Sequence, residues 1–375
     1  MYFHVILTDD CNLCCRYCRA KAFEEEDAEE PGAVPVEIDE DLAPDLNYDL
    51  DLLYRFLARD PSPTVTFYGG EPLVRKDLVE QIIREVPAQR FMIQTNGLLL
   101  DQLDPEIVNR FTTILVSLDG REDLTDENRG AGVFSGVMAN VKKIKANGYR
   151  GELIARMTVT ERTDIFDAVR YLAKNPCHSF GSIHWQMDAN FSRDLSHRSF
   201  AEWVKNSYNP GIRSLARAWV DEMDKNGRVL RWYPFIDPME DLLYGRESLL
   251  RCGSGHINYT ILTDGHIAPC PIMIGMKQYY CGHISDADPQ NLPRIAIGGE
   301  CSDCHIRTFC GGRCLYSNIV QPWNPAGRQI VCGTVENLRD SLLEELPRVR
   351  ALIDSGKIRF SDFAHEKFNG CEIIP

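Results

Sequence analysis

The sequence predicts an α/β fold: a parallel sheet of six βα units forming a partial TIM-type barrel, followed by a small cysteine-rich module. Three observations carry that expectation. Strand-like apolar runs alternate with helical patterns through the first half of the chain, and alternating β and α segments imply a parallel sheet. Polar or glycine-rich motifs follow the strands, at the rim where such barrels carry their active sites. The 14 cysteines fall mainly into two groups, one near residue 11 and one beyond residue 250.

In order, the strand-like runs are YFHVILT (2–8), TVTFY (64–68), FMIQT (91–95), TTILVSL (112–118), ELIARMTVT (152–160) and SIHWQM (182–187). Between them, LVEQIIREV (78–86), VMANVKKIKANG (137–148) and FDAVRYLAKN (166–175) repeat apolar residues every three or four positions, as helices do. GAGVFSG (130–136) is spaced G-x-G-x3-G and follows DENR rather than a strand, so it reads as a helix lead-in and not a dinucleotide loop. FAEWVKNSY and LARAWVDEMDK read as amphipathic helices. The acidic stretch 23–51 reads as a solvated surface loop, with recognition of a basic substrate segment as its functional alternative. The expected organisation is a barrel over 1–190 with that acidic insertion, a helical bridge over 191–250, a cysteine-rich module over 251–335 and a helical tail over 336–375.

A net charge of −14 argues against nucleic acid as the main partner. No apolar run reaches the roughly 18 residues of a membrane span, so no membrane partner is expected. The first residues, MYFHVILTDD, lack the features of a secretory signal. The expected compartment is therefore the cytoplasm, with the thiols reduced.

The segment DDCNLCCRYCR (9–19) spaces Cys11, Cys15 and Cys18 as C-x3-C-x2-C, with Cys14 outside the pattern. Three thiolates leave one position open on a centre that takes four ligands. A structural zinc site would be closed by a fourth ligand, whereas a 4Fe-4S cluster with one free iron suits three. Here the sequence resembles the radical S-adenosylmethionine (SAM) superfamily, whose hallmark is C-x3-C-x-aromatic-C, with Tyr17 as the aromatic. The likeness continues through FYGGEP (67–72), QTNG (94–97), SLDG (117–120) and DENRG (126–130). It implies that Gly69, Gly70 and Glu71 hold the SAM amino group, the carboxylate of Glu71 offering charge to the ammonium. It also implies that Thr95 and Asn96 of QTNG and Asp119 of SLDG line the SAM site, that Ser117 touches the SAM carboxylate or ribose, and that Arg129 pairs with the carboxylate. Gln186 and Asp188 would face the barrel mouth, where contact with SAM or substrate stands beside simple strand-end solvation.

In the last third, Cys252-x12-Gly265-x4-Cys270 is followed by Cys301-x2-Cys304-x5-Cys310-x3-Cys314 and then Cys332. C-x2-C with C-x3-C would by itself also suit zinc. The full spacing resembles the SPASM domain of peptide-modifying radical SAM enzymes. That resemblance implies two auxiliary 4Fe-4S clusters, one on Cys301, Cys304, Cys310 and Cys332, the other on Cys252, Cys270 and Cys314. The second keeps an open iron or recruits Cys281. Cys14 reads as a packed or spectator thiol, and Cys177 and Cys371 as small buried hydrophobes. The histidines show no helix-face pair, so no separate mononuclear metal site is expected.

The resemblance implies an oxidoreductase that cleaves SAM to methionine and a 5′-deoxyadenosyl radical, which abstracts a hydrogen from a peptide or protein side chain. A thioether or carbon-carbon crosslink, or an oxidised side chain, would result. The implied partners are that substrate and a flavodoxin- or ferredoxin-like one-electron reductant, in an anaerobic setting. Anaerobic sulfatase maturases usually carry an acidic residue after the auxiliary-cluster cysteine where this chain has Pro271. Two other readings are a SPASM-type dehydrogenase acting on a small molecule and a non-catalytic iron-sulfur or zinc module; SAM binding counts against the latter.

Overall fold

The computed structural model describes residues 1–18, 36–86, 88–188 and 195–368. Its strands are β1 (Tyr2–Ile6), β2 (Thr64–Tyr68), β3 (Arg90–Thr95), β4 (Phe111–Ser117), β5 (Glu152–Val159), β6 (Ser182–Met187), β7 (Arg231–Trp232), β8 (Asn258–Ile261) and β9 (Ile267–Ala268). The longer helices are α1 (Leu50–Leu57), α2 (Lys76–Glu85), α3 (Glu122–Arg129), α4 (Val133–Ala146), α5 (Ile165–Ala173), α6 (Asn209–Asn226), α7 (Tyr233–Tyr244) and α8 (Pro325–Asp354). The six expected strands and three expected helices are present, and the GAGVFSG lead-in places Gly132 directly before α4.

The chain forms two compact units. The first comprises Met1–Leu118, Thr125–Ile154 and Gly253–Ala296. Its strands run β4-β3-β2-β1-β8-β9. β1 to β4 are parallel, with Tyr2 opposite Thr64 and Thr64 opposite Arg90. β1 and β2 are buried almost along their whole length, which is why they read as unbroken apolar runs rather than alternating ones. Helix α1 is capped by Asp49, whose side chain accepts the Asp51 N–H.

Periodicity did not reveal β8 and β9, which have four and two residues, too few to show a repeat. β8 lies parallel to the outer edge of β1, pairing Tyr2 with Asn258 through Val5 with Ile261. A buried 2.9 Å contact between His4 Nδ1 and Asn258 Oδ1 fixes that register. The described part of the acidic stretch also differs from the expected solvated loop. Asp39 and Leu42 are buried, Ile38 bridges to Met276, and the Tyr280 hydroxyl donates to Asp39 at 2.8 Å. Leu42 packs on Leu262 and Ala268. Asp39 and Leu42 anchor this stretch; residues 19–35 lie outside the described residues.

The second unit comprises Asp119–Leu124, Ala155–Cys252 and Ile297–Pro375. Its strands run β7-β6-β5, with β7 parallel to β6. The expected helical bridge therefore contains a short strand. One continuous helical stretch runs from Phe200 through a π turn at Val204–Tyr208 into α6. Pro210 follows that π turn, so the ladder hydrogen bond its missing N–H would make falls where the helix is already irregular. Helices α6 and α8 pack together. Asn324 caps α8 by accepting the Gly327 N–H at 2.8 Å, so the final helix begins eleven residues before the expected position 336. The proline and glycine of PAGRQ imitate a loop in sequence, and Cys332 lies inside the helix.

Candidate functional site

The loop after β1 carries Cys11, Cys15 and Cys18. The Cys18 N–H donates to the Cys15 carbonyl at 3.0 Å, and the Arg16 N–H to Asn128 O at 2.9 Å. Arg16 also pairs with Glu127 at 2.9 Å, so the end of α3 holds the loop from one side. From the other, Gly70 N–H donates to Thr8 O at 3.0 Å and Glu71 N–H to Asp10 O at 2.8 Å. This contact explains the two glycines. A Cβ on Gly69 would sit 2.5 Å from Thr8 O, and one on Gly70 would sit 2.2 Å from Asp10 O. The glycines thus admit the cysteine loop's own backbone.

Cys11 and Cys18 are exposed and Cys15 is half-buried. Partial burial raises the Cys11 thiol, and the charges of Glu71 and Cys18 add to that; donation from Leu13 N–H at 3.4 Å and contact with the Asn96 amide at 4.0 Å oppose it. Three accessible sulfurs on one short loop, two of them near enough to interact electrostatically and one met by N–H donors, fit a thiolate-bound cluster.

Glu71 departs from expectation. Its side chain is 1 % exposed and faces inward. Oε2 accepts the Asn96 N–H at 2.6 Å, while Oε1 accepts the Thr95 hydroxyl at 2.8 Å and the Leu73 N–H at 3.0 Å. Burial pushes its pKa up, against those three donors. The carboxylate is used to lock the loops after β2 and β3 together, and does not present itself as charge for an ammonium. Asn96 in turn donates to Asn12 Oδ1 at 2.7 Å, joining the third strand end to the cysteine loop. Asn12 carried no signal, since an asparagine in a loop is commonplace.

Among the other expected residues, Ser117 is half-buried at the end of β4. Arg129 is buried, its guanidinium 5.3 Å from the centre of the Tyr17 ring. That contact brings the hallmark aromatic and the expected carboxylate partner together. Asp119 is fully buried and accepts the Thr158 N–H at 3.0 Å, which gives it a structural hydrogen bond within the second unit. Gln186 accepts from Arg156 at 2.8 Å. Asp188 lies 3.5 Å from Arg198, which is held bidentately by Glu161.

In the second unit, Cys301, Cys304 and Cys310 are half-buried and Cys314 is buried. Burial, joined by the charges of Cys332 and Cys301 and opposed by the Gly312 backbone and Arg313, pushes Cys310 up to about 11. Cys332 is exposed as a residue, yet crowding around its sulfur raises it, with Cys301 and Cys304 adding to the shift. These mutual effects place the four thiols of the expected set in one neighbourhood. Among the described residues, Asp237, Glu240 and His365 bring ligand-type atoms within 4.8 Å of one another. The Asp237 group already holds cations: Lys367 lies 3.0 Å from Asp237 and 2.9 Å from Glu240.

Cys252 is half-buried in the second unit; Cys270 and Cys281 are buried in the first. The Cys281 thiol contacts Tyr279 O at 3.6 Å, and burial pushes it up to about 11. Cys177 is exposed rather than a buried small hydrophobe. It follows Asn175 and Pro176 in the turn after α5, which ends before it can be covered. Cys14 is exposed and so a spectator rather than a packed thiol; Cys371 lies outside the described residues. No helix among the described residues is long and apolar enough to cross a membrane.

Residues 5–169 match the sequence profile of the radical SAM superfamily. The chain carries a radical SAM domain. A relative from Oleidesulfovibrio alaskensis named "AdoMet-dependent heme synthase" is 23% identical over 336 residues, covering 82% of this chain and 80% of its own. The solved structure "Native anSMEcpe with bound AdoMet", an anaerobic sulfatase maturase, matches with a TM-score of 0.68 at 16% identity over 94% of this chain and 100% of its own. Streptococcus suis SuiB bound to its precursor peptide SuiA matches with a TM-score of 0.51 at 16% identity, over 84% of this chain and 71% of its own. At such identities the structural matches speak for the fold. The chain thus has an α/β architecture with a parallel sheet and a cysteine-rich C-terminal region, and its radical SAM domain is of the family that uses a 4Fe-4S cluster and SAM.

Proposed function

We propose that this radical SAM enzyme oxidatively modifies a peptide or protein side chain. The observation that carries the reading is the gathering of Cys301, Cys304, Cys310 and Cys332, a set with no use in SAM binding itself and with spacing like that of a SPASM module. When bound, the cluster and SAM supply a 5′-deoxyadenosyl radical able to abstract an unactivated hydrogen. Cys11, Cys15 and Cys18 hold the cluster. The loops locked by Glu71, Thr95 and Asn96 orient SAM, with Ser117 and Arg129 toward its polar end. The C-terminal thiols Cys301, Cys304, Cys310 and Cys332 would hold an auxiliary iron-sulfur cluster, which when bound supplies one-electron redox chemistry.

A second reading has one specific support: the heme synthase relative spans 82% of this chain, which points to a tetrapyrrole. The test is anaerobic iron analysis and 5′-deoxyadenosine assay of reconstituted protein, wild type beside the Cys11/Cys15/Cys18 triple alanine variant. About twelve irons falling to about eight, with nucleoside formation abolished, is expected for three 4Fe-4S clusters. About four irons with zinc would end the auxiliary-cluster reading. Mass change on a supplied peptide library supports the peptide substrate; turnover confined to a carboxylated iron porphyrin would replace it.

A further inference from the structure

Helix α7 sets Asp237, Glu240 and Asp241 on one face, three and four residues apart. The segment after α8 returns to this helix. There Phe363 is fully buried, and the His365 ring meets that of Tyr233, the first residue of α7, edge-on at 5.8 Å. All of these residues belong to the second unit. The histidine lies far from the acids in sequence, so no local motif marks the group.

The far ends of these side chains are fixed. Arg251 donates to Oδ2 of Asp237 and to Oδ2 of Asp241. His365 Nδ1 faces the Phe363 carbonyl at 2.9 Å; a carbonyl only accepts, so Nδ1 carries the hydrogen and a neutral ring bears its lone pair on Nε2. That nitrogen lies 3.3 Å from Asp237 Oδ1, on a side chain 0 % exposed. It has no well-directed hydrogen bond among the described residues, and neither has the buried Glu240 Oε2.

Metal sites are built in this way: a ligating histidine gives its other N–H to a carbonyl or carboxylate, and ligating carboxylates are hydrogen-bonded in turn. Ligands about 2.1 Å from one ion stand about 3.0 Å apart at right angles and about 3.4 Å apart in a tetrahedron. The separation of 3.3 Å falls within that range. A cation already stands among the carboxylates, since Lys367 Nζ lies 3.0 Å from Asp237, 2.9 Å from Glu240 and 3.7 Å from Asp241. Half-exposed Arg246 lies 3.8 Å from Glu240. The lysine ammonium answers the carboxylates and leaves the imidazole lone pair unused. A divalent ion would engage both kinds of ligand. Lys367 is itself 30 % exposed on a flexible stem, so its charge can swing into water.

We propose that Asp237, Glu240 and His365 bind a divalent first-row metal ion, with the Lys367 ammonium as its resident competitor. The bound ion would fasten the segment after α8 to α7. The site stands apart from the proposed function and needs no SAM chemistry.

Mn²⁺ is the probe, because carboxylate ligands suit it whereas thiolates select softer ions, which keeps the cysteines out of the titration. The reconstituted full chain is kept anaerobic, with its clusters in their EPR-silent oxidised state, as wild type, H365Q, K367M, K367R and K367M/H365Q. The EPR signal of free Mn²⁺ gives affinity, and pulsed EPR of the bound ion gives its coupling to an imidazole nitrogen. K367M should bind one Mn²⁺ at least tenfold more tightly than wild type, K367R should not, and K367M/H365Q should lose both the gain and the nitrogen coupling. Equal, weak affinity in all five proteins would mean adventitious binding to surface carboxylates only and would overturn the proposal, as would tight binding to K367M without nitrogen coupling. A second comparison does not depend on how K367M folds: at saturating Mn²⁺ wild type should show the nitrogen coupling and H365Q should not. Coupling that is absent from wild type, or that persists in H365Q, overturns the site.

Discussion

The Glu71 carboxylate accepts the backbone N–H of Asn96 at 2.6 Å, so a residue after the second strand sets the backbone position of one after the third. Its folded-state pKa is raised above the ordinary 4.5, chiefly by burial. A raised folded value means that stability is fully present below about pH 4.5 and declines as pH climbs through the folded value. E71Q should cost about 1–3 kcal/mol at low pH by replacing an acceptor with a donor. It should also remove that decline, so the gap to wild type narrows toward neutral pH. Urea denaturation of cofactor-free protein from pH 4.5 to 8 checks both; parallel stability curves would show that Glu71 does not titrate there.

Gly70→Ala should disrupt the cysteine loop, because the added methyl would meet both Asp9 O and Asp10 O below 2.5 Å. Iron content should fall by about four per chain, one 4Fe-4S cluster, with the C-terminal cysteines still loaded. Gly333, inside α8, meets nothing within 4 Å of an added Cβ. Gly333→Ala should therefore stabilise the protein by roughly 0.5–1 kcal/mol through helix propensity, as read from its unfolding midpoint.

Arg251 is buried and donates to Asp237 at 2.5 Å, Asp241 at 2.8 Å and the Phe309 carbonyl at 2.7 Å. Because Phe309 directly precedes Cys310, the same guanidinium positions a thiol-bearing turn. R251Q takes the shared guanidinium from Asp237 and Asp241, which both keep Lys367 nearby, and should cost roughly 1–3 kcal/mol through hydrogen bonds left unmade. Adding D237N should return part of it, a coupling that a double-mutant cycle by chemical denaturation measures. Additive effects would refute direct pairing.

Cys332→Ser should lower auxiliary iron in reconstituted protein while leaving SAM binding intact, since its sulfur interacts with Cys301, Cys304 and Cys310. Equal iron in variant and wild type would remove Cys332 from the ligand set.

Much of this was legible in the chain. Runs such as TVTFY and SIHWQM are long and apolar enough to declare buried parallel strands, and local cysteine spacing declares its chemistry. Partners distant in sequence were not legible. Nothing in the glycines of FYGGEP says that Thr8 and Asp10 crowd them, and nothing in Glu71 says that it turns inward to Asn96. PAGRQ misled because proline and glycine at a helix start look like those of a loop.

The pairing of β8 with β1 sets an order of events on the ribosome. The first strand emerges almost at once, yet its outer neighbour at Asn258–Ile261 is synthesised only after more than two hundred further residues. Until then one edge of β1 offers unsatisfied N–H and C=O groups to any passing strand. A chain cut after β6 would lack β8 and keep that edge of β1 bare permanently, a template for pairing with other chains.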